Sequence, residues 1–215
     1  INLENKIPEL PFSNPWIAKN TVGRLPSNCE LHLGILNSLR SWSLFNINHE
    51  KNINIFSNTG GFGIDGLVST LLGSALATPQ KLFIGVIGDL AFFYDMNALG
   101  NRHISNNIRL MIINNGRGTE FRNYNHPAAC FGKDADEYMA AYGHFGKQSR
   151  DLIRHYSEDL GFDYLCAETK EEYLDKINIF LENDIKKHPI IFEIFTDSKD
   201  ESDALNILFH IEVST

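Results

Sequence analysis

Apolar and polar positions alternate in blocks along this chain, and the clearest block lies between Leu82 and Phe121. Leu82 to Ile87 is a short apolar run without helical period, as in a strand buried on both faces. A segment with Leu99 and other apolar residues at helical spacing follows, and Leu110 to Ile113 is a second apolar run. Further strand patterns fall at Asn52 to Phe56, Phe162 to Ala167 and Pro189 to Phe195. Helical patterns fall at Cys29 to Leu44, Leu67 to Leu76, Asp151 to Leu160, Lys170 to Asn183 and Asp203 to His210. Strands alternating with helices predict an α/β fold, an open parallel sheet with helices on both faces. Residues 1–28, with Pro8, Pro11, Pro15 and Pro26, read as an irregular lead-in or linker, and residues 29–215 as the domain. Residues 116–148 read as a long segment with one short helix near Asp134 to Tyr142; so long a loop in a compact domain is usually functional.

Composition narrows the class. At 215 residues and 43% hydrophobic, the chain suits one α/β domain with a full core. A net charge of −8 without a basic run argues against a nucleic-acid surface. Cys29, Cys130 and Cys166 are scattered, which fits reduced thiols and a cytoplasmic setting. No apolar stretch reaches the ~20 residues of a membrane span. The first residue is Ile1 rather than Met, so the chain is expected to be the C-terminal part of a longer polypeptide.

The two central strands carry the candidate chemistry. One ends in Gly88-Asp89, the other in Asn114-Asn115-Gly116, with a crossing helix between. Ligands bind at the carboxyl ends of strands in open α/β sheets. A carboxylate and an amide oxygen are hard ligands that suit Mg²⁺ or Ca²⁺, and Mg²⁺ takes its remaining ligands from phosphates and water. The expected site is therefore a metal-diphosphate site, against the plainer alternative of a helix-capping Asp and an Asn-Gly turn. Upstream, Gly61-Phe62-Gly63-Ile64-Asp65-Gly66 also fits G-x-G-x-x-G between a strand and a helix, the layout of a dinucleotide fingerprint. The acidic residue that fingerprint would need is Asp89, already placed on the metal, and Asn114-Asn115-Gly116 would be left without a role.

Gly88-Asp89, roughly two dozen residues, then Asn114-Asn115 resembles the fingerprint of thiamine-diphosphate-dependent enzymes. The form from Gly88 to Leu99, with Gly60 to Gly66 upstream, is most similar to the 2-succinyl-5-enolpyruvyl-6-hydroxy-3-cyclohexene-1-carboxylate synthases of the menaquinone pathway. The resemblance covers roughly residues 37 to 121. It implies the thiamine-diphosphate-binding fold, with thiamine diphosphate and Mg²⁺ as cofactors and a decarboxylating carboligase, a transferase, as the activity. It implies metal ligation by Asp89, Asn115 and the backbone carbonyl of Arg117. It implies cofactor contacts from Ser38, Gly61, Phe62, Ile64, Gly88, Leu90, Ala91, Gly118 and Phe121, with Ile64 wedged against the bent cofactor. No catalytic residue is expected in this chain, because the activating glutamate belongs to a pyrimidine-binding domain of the same or a partner subunit. The implied partners are a 2-oxo acid, that missing domain and a second copy in a dimer, with no nucleic acid and no membrane.

Several positions depart from the pattern. Leu90 replaces a glycine, which a main-chain role tolerates if its φ is negative. Thr59 stands where the synthases carry an arginine that grips substrate carboxylates, and Arg40 is offset from a second such position near Trp42. Glu120 stands where an apolar residue is usual, beside Phe121, which fits. Those departures keep open an acetolactate-synthase-like or oxo-acid decarboxylase domain with another substrate. A non-catalytic phosphate- or nucleotide-sensing module is the alternative of another class. Tyr94, Asp95 and Asn97 read as structural. His126, His144 and His155 read as structural or as a proton relay at the substrate mouth.

Overall fold

The computed structural model describes residues 6–61, 63–143 and 147–211; Phe62 and His144 lie outside the described residues. Six strands form one sheet: β1 (Glu30–Leu33), β2 (Asn54–Phe56), β3 (Phe83–Gly88), β4 (Ile108–Asn114), β5 (Asp163–Ala167) and β6 (Ile190–Phe195). Their order is β2-β1-β3-β4-β6-β5, and every pairing is parallel. This is the α/β class predicted from the alternating pattern.

Side chains alternate across each strand, so the sheet has two apolar faces. Leu31, Ile84, Val86, Met111, Ile113, Phe192 and Ile194 share one cluster with helices α1 (Asn14–Thr21), α2 (Asn37–Ser43), α7 (Lys170–Phe180) and α8 (Ser198–Phe209). Phe83, Ile87, Leu110, Ile112 and Ile191 share the other with α3 (Leu67–Ala77), α4 (Asp89–Asp95) and α6 (Leu152–Asp159). Burial of each large aliphatic residue contributes about 1.5–3 kcal/mol, so these two layers supply most of the favourable folding energy. A short helix, α5 (Asp134–Tyr138), and two 3₁₀ turns (Thr119–Arg122 and Pro127–Phe131) lie in the long segment after β4.

The structure corrects three expectations. Residues 1–28 are not irregular throughout: α1 forms there, and Trp16, Ile17 and Ala18 are buried in the core. Pro15 misleads because it sits in the first helical turn, where a missing N–H costs nothing. Ser13 caps that helix by accepting from the Trp16 amide at 3.4 Å. Residues 29–44 are not one helix either; they divide into β1 and α2 around Gly34. A Cβ at Gly34 would stand 3.2 Å from the Val86 carbonyl oxygen, so glycine lets this strand end press against β3. The last helix also starts earlier than its apolar pattern suggests, because Asp197 accepts from the Lys199 amide at 2.7 Å.

Candidate functional site

The order of the strands creates a switch point. From β1 the chain leaves to one side to make β2, and from β3 it proceeds to the other side to make β4, so the carboxyl ends of β1 and β3 border a crevice. Gly88 ends β3 opposite Ile113, and Asp89 is the next residue. Its carboxylate is 5% exposed and accepts from the Gly116 amide at 3.1 Å. Burial pushes its pKa up to about 7, while main-chain amides of Asn115, Asp89, Leu90 and Gly116 pull the other way. Asp89 and the Asn115-Gly116 turn therefore share one corner of the molecule. Leu90 is helical with negative φ, so its side chain does not disturb the main chain.

The turn itself is tightly specified. Gly116 has φ +76°, and a Cβ there would lie 2.9 Å from Gln148 Cγ. Gln148 Nε2 donates to the carbonyls of Asn114 at 2.8 Å and Thr196 at 3.0 Å, joining the ends of β4 and β6. The Asn115 amide oxygen accepts from the Arg117 amide at 3.4 Å. The Arg117 carbonyl accepts from the Thr119 amide at 2.9 Å, which leaves a second lone pair. Its guanidinium pairs with Asp136 at 2.8 Å and lies over the Tyr142 ring. Gly118 donates its amide to the Ala140 carbonyl at 2.6 Å, so α5 and the turn are packed as one unit.

Across the crevice, Leu36 adopts φ +65° just before α2, a region that costs an L-residue about 1–3 kcal/mol. This strained turn presents Ser38, which is 3% exposed and accepts from Asn14 Nδ2 at 3.2 Å. Asn14 is held from three sides: its Oδ1 accepts from Trp42 Nε1 at 3.0 Å, and its amide donates to Glu201 Oε2 at 2.8 Å. Glu201 also accepts from Thr196 at 2.7 Å, and burial pushes its carboxyl up to about 7. Behind the Asn-Asn turn, Glu193 accepts from Asn114 Nδ2 and from Tyr164, both at 2.6 Å, and is likewise raised to about 7 by burial. Ser38 and Asn114 are visible in the sequence pattern, but their supporting partners Asn14, Trp42, Glu193 and Glu201 are not, because most of these pairs are far apart in the chain.

The remaining predicted positions spread outward from this corner. Gly61 and Ile64 lie in the segment that joins edge strand β2 to α3, and Gly66 (φ +74°) caps that helix. Asp95 of α4 accepts from the Ser69 amide at 2.7 Å and from its hydroxyl at 2.6 Å, tying the helix after the glycine segment to the helix after Asp89. That fits the structural role expected of Asp95. Phe121 packs edge-on against His126, with ring centroids 5.3 Å apart. His155 is exposed on α6. Glu120 is no free surface residue: it pairs with Arg40 through Nη1 at 2.5 Å and Nη2 at 2.9 Å.

The corner suits a hard divalent ion. A buried carboxylate bonded to main-chain amides, beside an amide oxygen and a main-chain carbonyl, is an oxygen-only donor set. An ion there would relieve the burial that raises the Asp89 pKa. Among the described residues no three His, Cys, Asp or Glu side chains gather in a way that could hold a metal, so a purely charged ligand cage is not on offer. No helix of the described residues is long and apolar enough to cross a membrane.

No family model matches the chain. Among curated proteins it is 30% identical to a 2-succinyl-5-enolpyruvyl-6-hydroxy-3-cyclohexene-1-carboxylate synthase of Bacteroides fragilis, over 94% of this chain and 35% of that protein. A protein of the same description from Phocaeicola vulgatus is 30% identical over 95% of this chain and 35% of its own. Another from Christiangramia forsetii is 32% identical over 94% and 33%. The chain spans about a third of the length of these relatives. The synthases to which the motifs point are thus the proteins that nearly the whole chain resembles.

Proposed function

From this relationship to the 2-succinyl-5-enolpyruvyl-6-hydroxy-3-cyclohexene-1-carboxylate synthases, we propose that the chain is the diphosphate-binding domain of a thiamine-diphosphate- and Mg²⁺-dependent carboligase that decarboxylates a 2-oxo acid. The observation that carries the reading is the Asp89 carboxylate, buried at a strand tip and wrapped by the Asn115-Gly116 turn. Asp89, Asn115 and the Arg117 carbonyl would hold Mg²⁺, and the ion would hold the diphosphate. Gly88, Leu90, Ala91, Gly118 and Ser38 would line the diphosphate, with Gly61, Phe62, Ile64 and Phe121 around the rings. Bound thiamine diphosphate supplies the electron sink for loss of CO₂ and for carbon–carbon bond formation. The chain's own part is to bind, orient and keep water out. The activating acid is expected from a pyrimidine-binding domain outside these 215 residues. The working enzyme is on this reading a cytoplasmic dimer in menaquinone biosynthesis.

Calorimetry with thiamine diphosphate tests the reading. Binding should require Mg²⁺ and should vanish in Asp89→Ala; metal-independent binding, or binding kept in the variant, contradicts it. The isolated chain should show no measurable 2-oxo acid decarboxylation. A second reading, a related enzyme with a different substrate, is favoured by Thr59 and by the closure of Arg40 onto Glu120. Assays of the full protein with 2-oxoglutarate against pyruvate separate the two.

A further inference from the structure

We propose that the cavity between α2, the turn after β4 and α8 binds an uncharged ring or short chain of the substrate, and that the Arg40–Glu120 pair in its wall turns anions away. This rests on the carboligase reading above, and it names the substrate class that the second reading leaves open.

The cavity holds about 160 Å³, and its walls include Arg40, Glu120, Tyr124, His126, Leu205 and Phe209. A space of ~150 Å³ accommodates a benzene ring. It adjoins the candidate site through the chain: Arg40 follows Ser38 closely on α2, and Glu120 follows the Asn115–Gly118 turn.

Arg40 and Glu120 are the basic and the acidic side chain in its walls, and each cancels the other. The guanidinium engages both carboxylate oxygens, at 2.5 and 2.9 Å. Its Nη1 also donates to Asn37 Oδ1 at 3.0 Å. Asn123 Nδ2 closes the ring by donating to the same Asn37 oxygen at 3.0 Å and to Glu120 Oε2 at 3.4 Å. The Glu120 side chain is 14% exposed and that of Arg40 34%, so the carboxylate is the better shielded partner and the guanidinium still reaches water. A ligand carboxylate would have to displace one that is already tethered, forked and free of any association cost. A ligand cation would face Arg40. An uncharged group meets neither penalty and gains contact with Phe209, Leu205 and Tyr124.

One donor is also set. His126 Nδ1 accepts from the Ala128 amide at 3.0 Å, so the neutral ring carries its proton on Nε2. A hydroxyl or carbonyl oxygen on the ligand could take that proton's hydrogen bond.

The test is ¹⁹F NMR on the full protein, with 4-fluorobenzyl alcohol and 4-fluorobenzoate as paired probes at constant ionic strength. The alcohol should bind saturably, in the millimolar range of so small a ligand, and the benzoate about tenfold or more weaker. Glu120→Gln frees the Arg40 fork and should reverse the order. Asn206→Trp, an exposed position on α8, should fill the cavity from its rim and abolish alcohol binding without lowering Tm. Equal or tighter benzoate binding by the wild type overturns the proposal. So does alcohol binding that survives Asn206→Trp, or no saturable binding of the alcohol. If thiamine diphosphate fails to bind but the probe order and its reversal hold, the carboligase reading falls and the cavity's selectivity stands.

Discussion

At the residue scale, the candidate site and its surroundings are held by pairs of very different separation along the chain. Asp89 and Asn115 sit at the ends of two strands joined by one helix, and the fold brings the Asp89 carboxylate onto the main-chain amides of Asn115 and Gly116. Arg40 and Glu120 are separated by 80 positions, and nothing in the spacing says that they meet; each was readable only as an oddity on its own. Gln148 is similar, a single loop amide that closes two strand ends. Gly116 could be read as a turn residue, but not as the floor under Gln148. Its left-handed φ of +76° and a Cβ contact at 2.9 Å make Gly116→Ala doubly unfavourable. That substitution should lower stability by about 1–3 kcal/mol in urea unfolding and weaken cofactor binding. An unchanged midpoint would show that the turn is not specified in this way.

At the element scale, propensity failed where tertiary contacts decide. β1 is four residues long and completely buried, so polar Glu30 and His32 lie inside with Leu31 and Leu33 and spoil any simple alternation. The surrounding apolar residues then fit a helix as well as a strand. α1 was hidden by prolines and anchored by partners distant in sequence: α2 through Trp42 and Ser38, and α8 through Glu201. Asn14 is the joint of the three helices. Asn14→Ala would keep its amide bond to Glu201 but leave Trp42 Nε1 and Ser38 Oγ buried without their partner. The cost should be about 2 kcal/mol or more of global stability. Because Ser38 loses its anchor, affinity for thiamine diphosphate should fall as well. A variant with reduced stability but unchanged affinity would separate the support of the fold from the support of Ser38.

At the scale of the whole molecule, three carboxyl groups, Asp89, Glu193 and Glu201, are each buried and pushed up to about 7. Such groups hold their protons longer in the folded chain than in the unfolded one. The folded state then binds more protons between the ordinary carboxylate range and pH 7, and stability falls as pH rises through that window. The net charge of −8 acts in the same direction, since self-repulsion grows as histidines and carboxyls lose protons. The metal-free chain should therefore have a higher urea midpoint at pH 5.5 than at pH 8. Two of the three groups, Glu193 and Glu201, are satisfied by neutral donors and have no need of a ligand. Asp89 differs, because a cation beside it favours its ionised form. Mg²⁺ with thiamine diphosphate should raise the midpoint more at pH 8 than at pH 5.5 and so narrow the gap, and Asp89→Asn should remove that effect while leaving the contributions of Glu193 and Glu201. A gap that is absent without metal would mean that these carboxyls ionise freely in the fold. A ligand effect that is equal at both pH values would mean that the ion does not sit on Asp89.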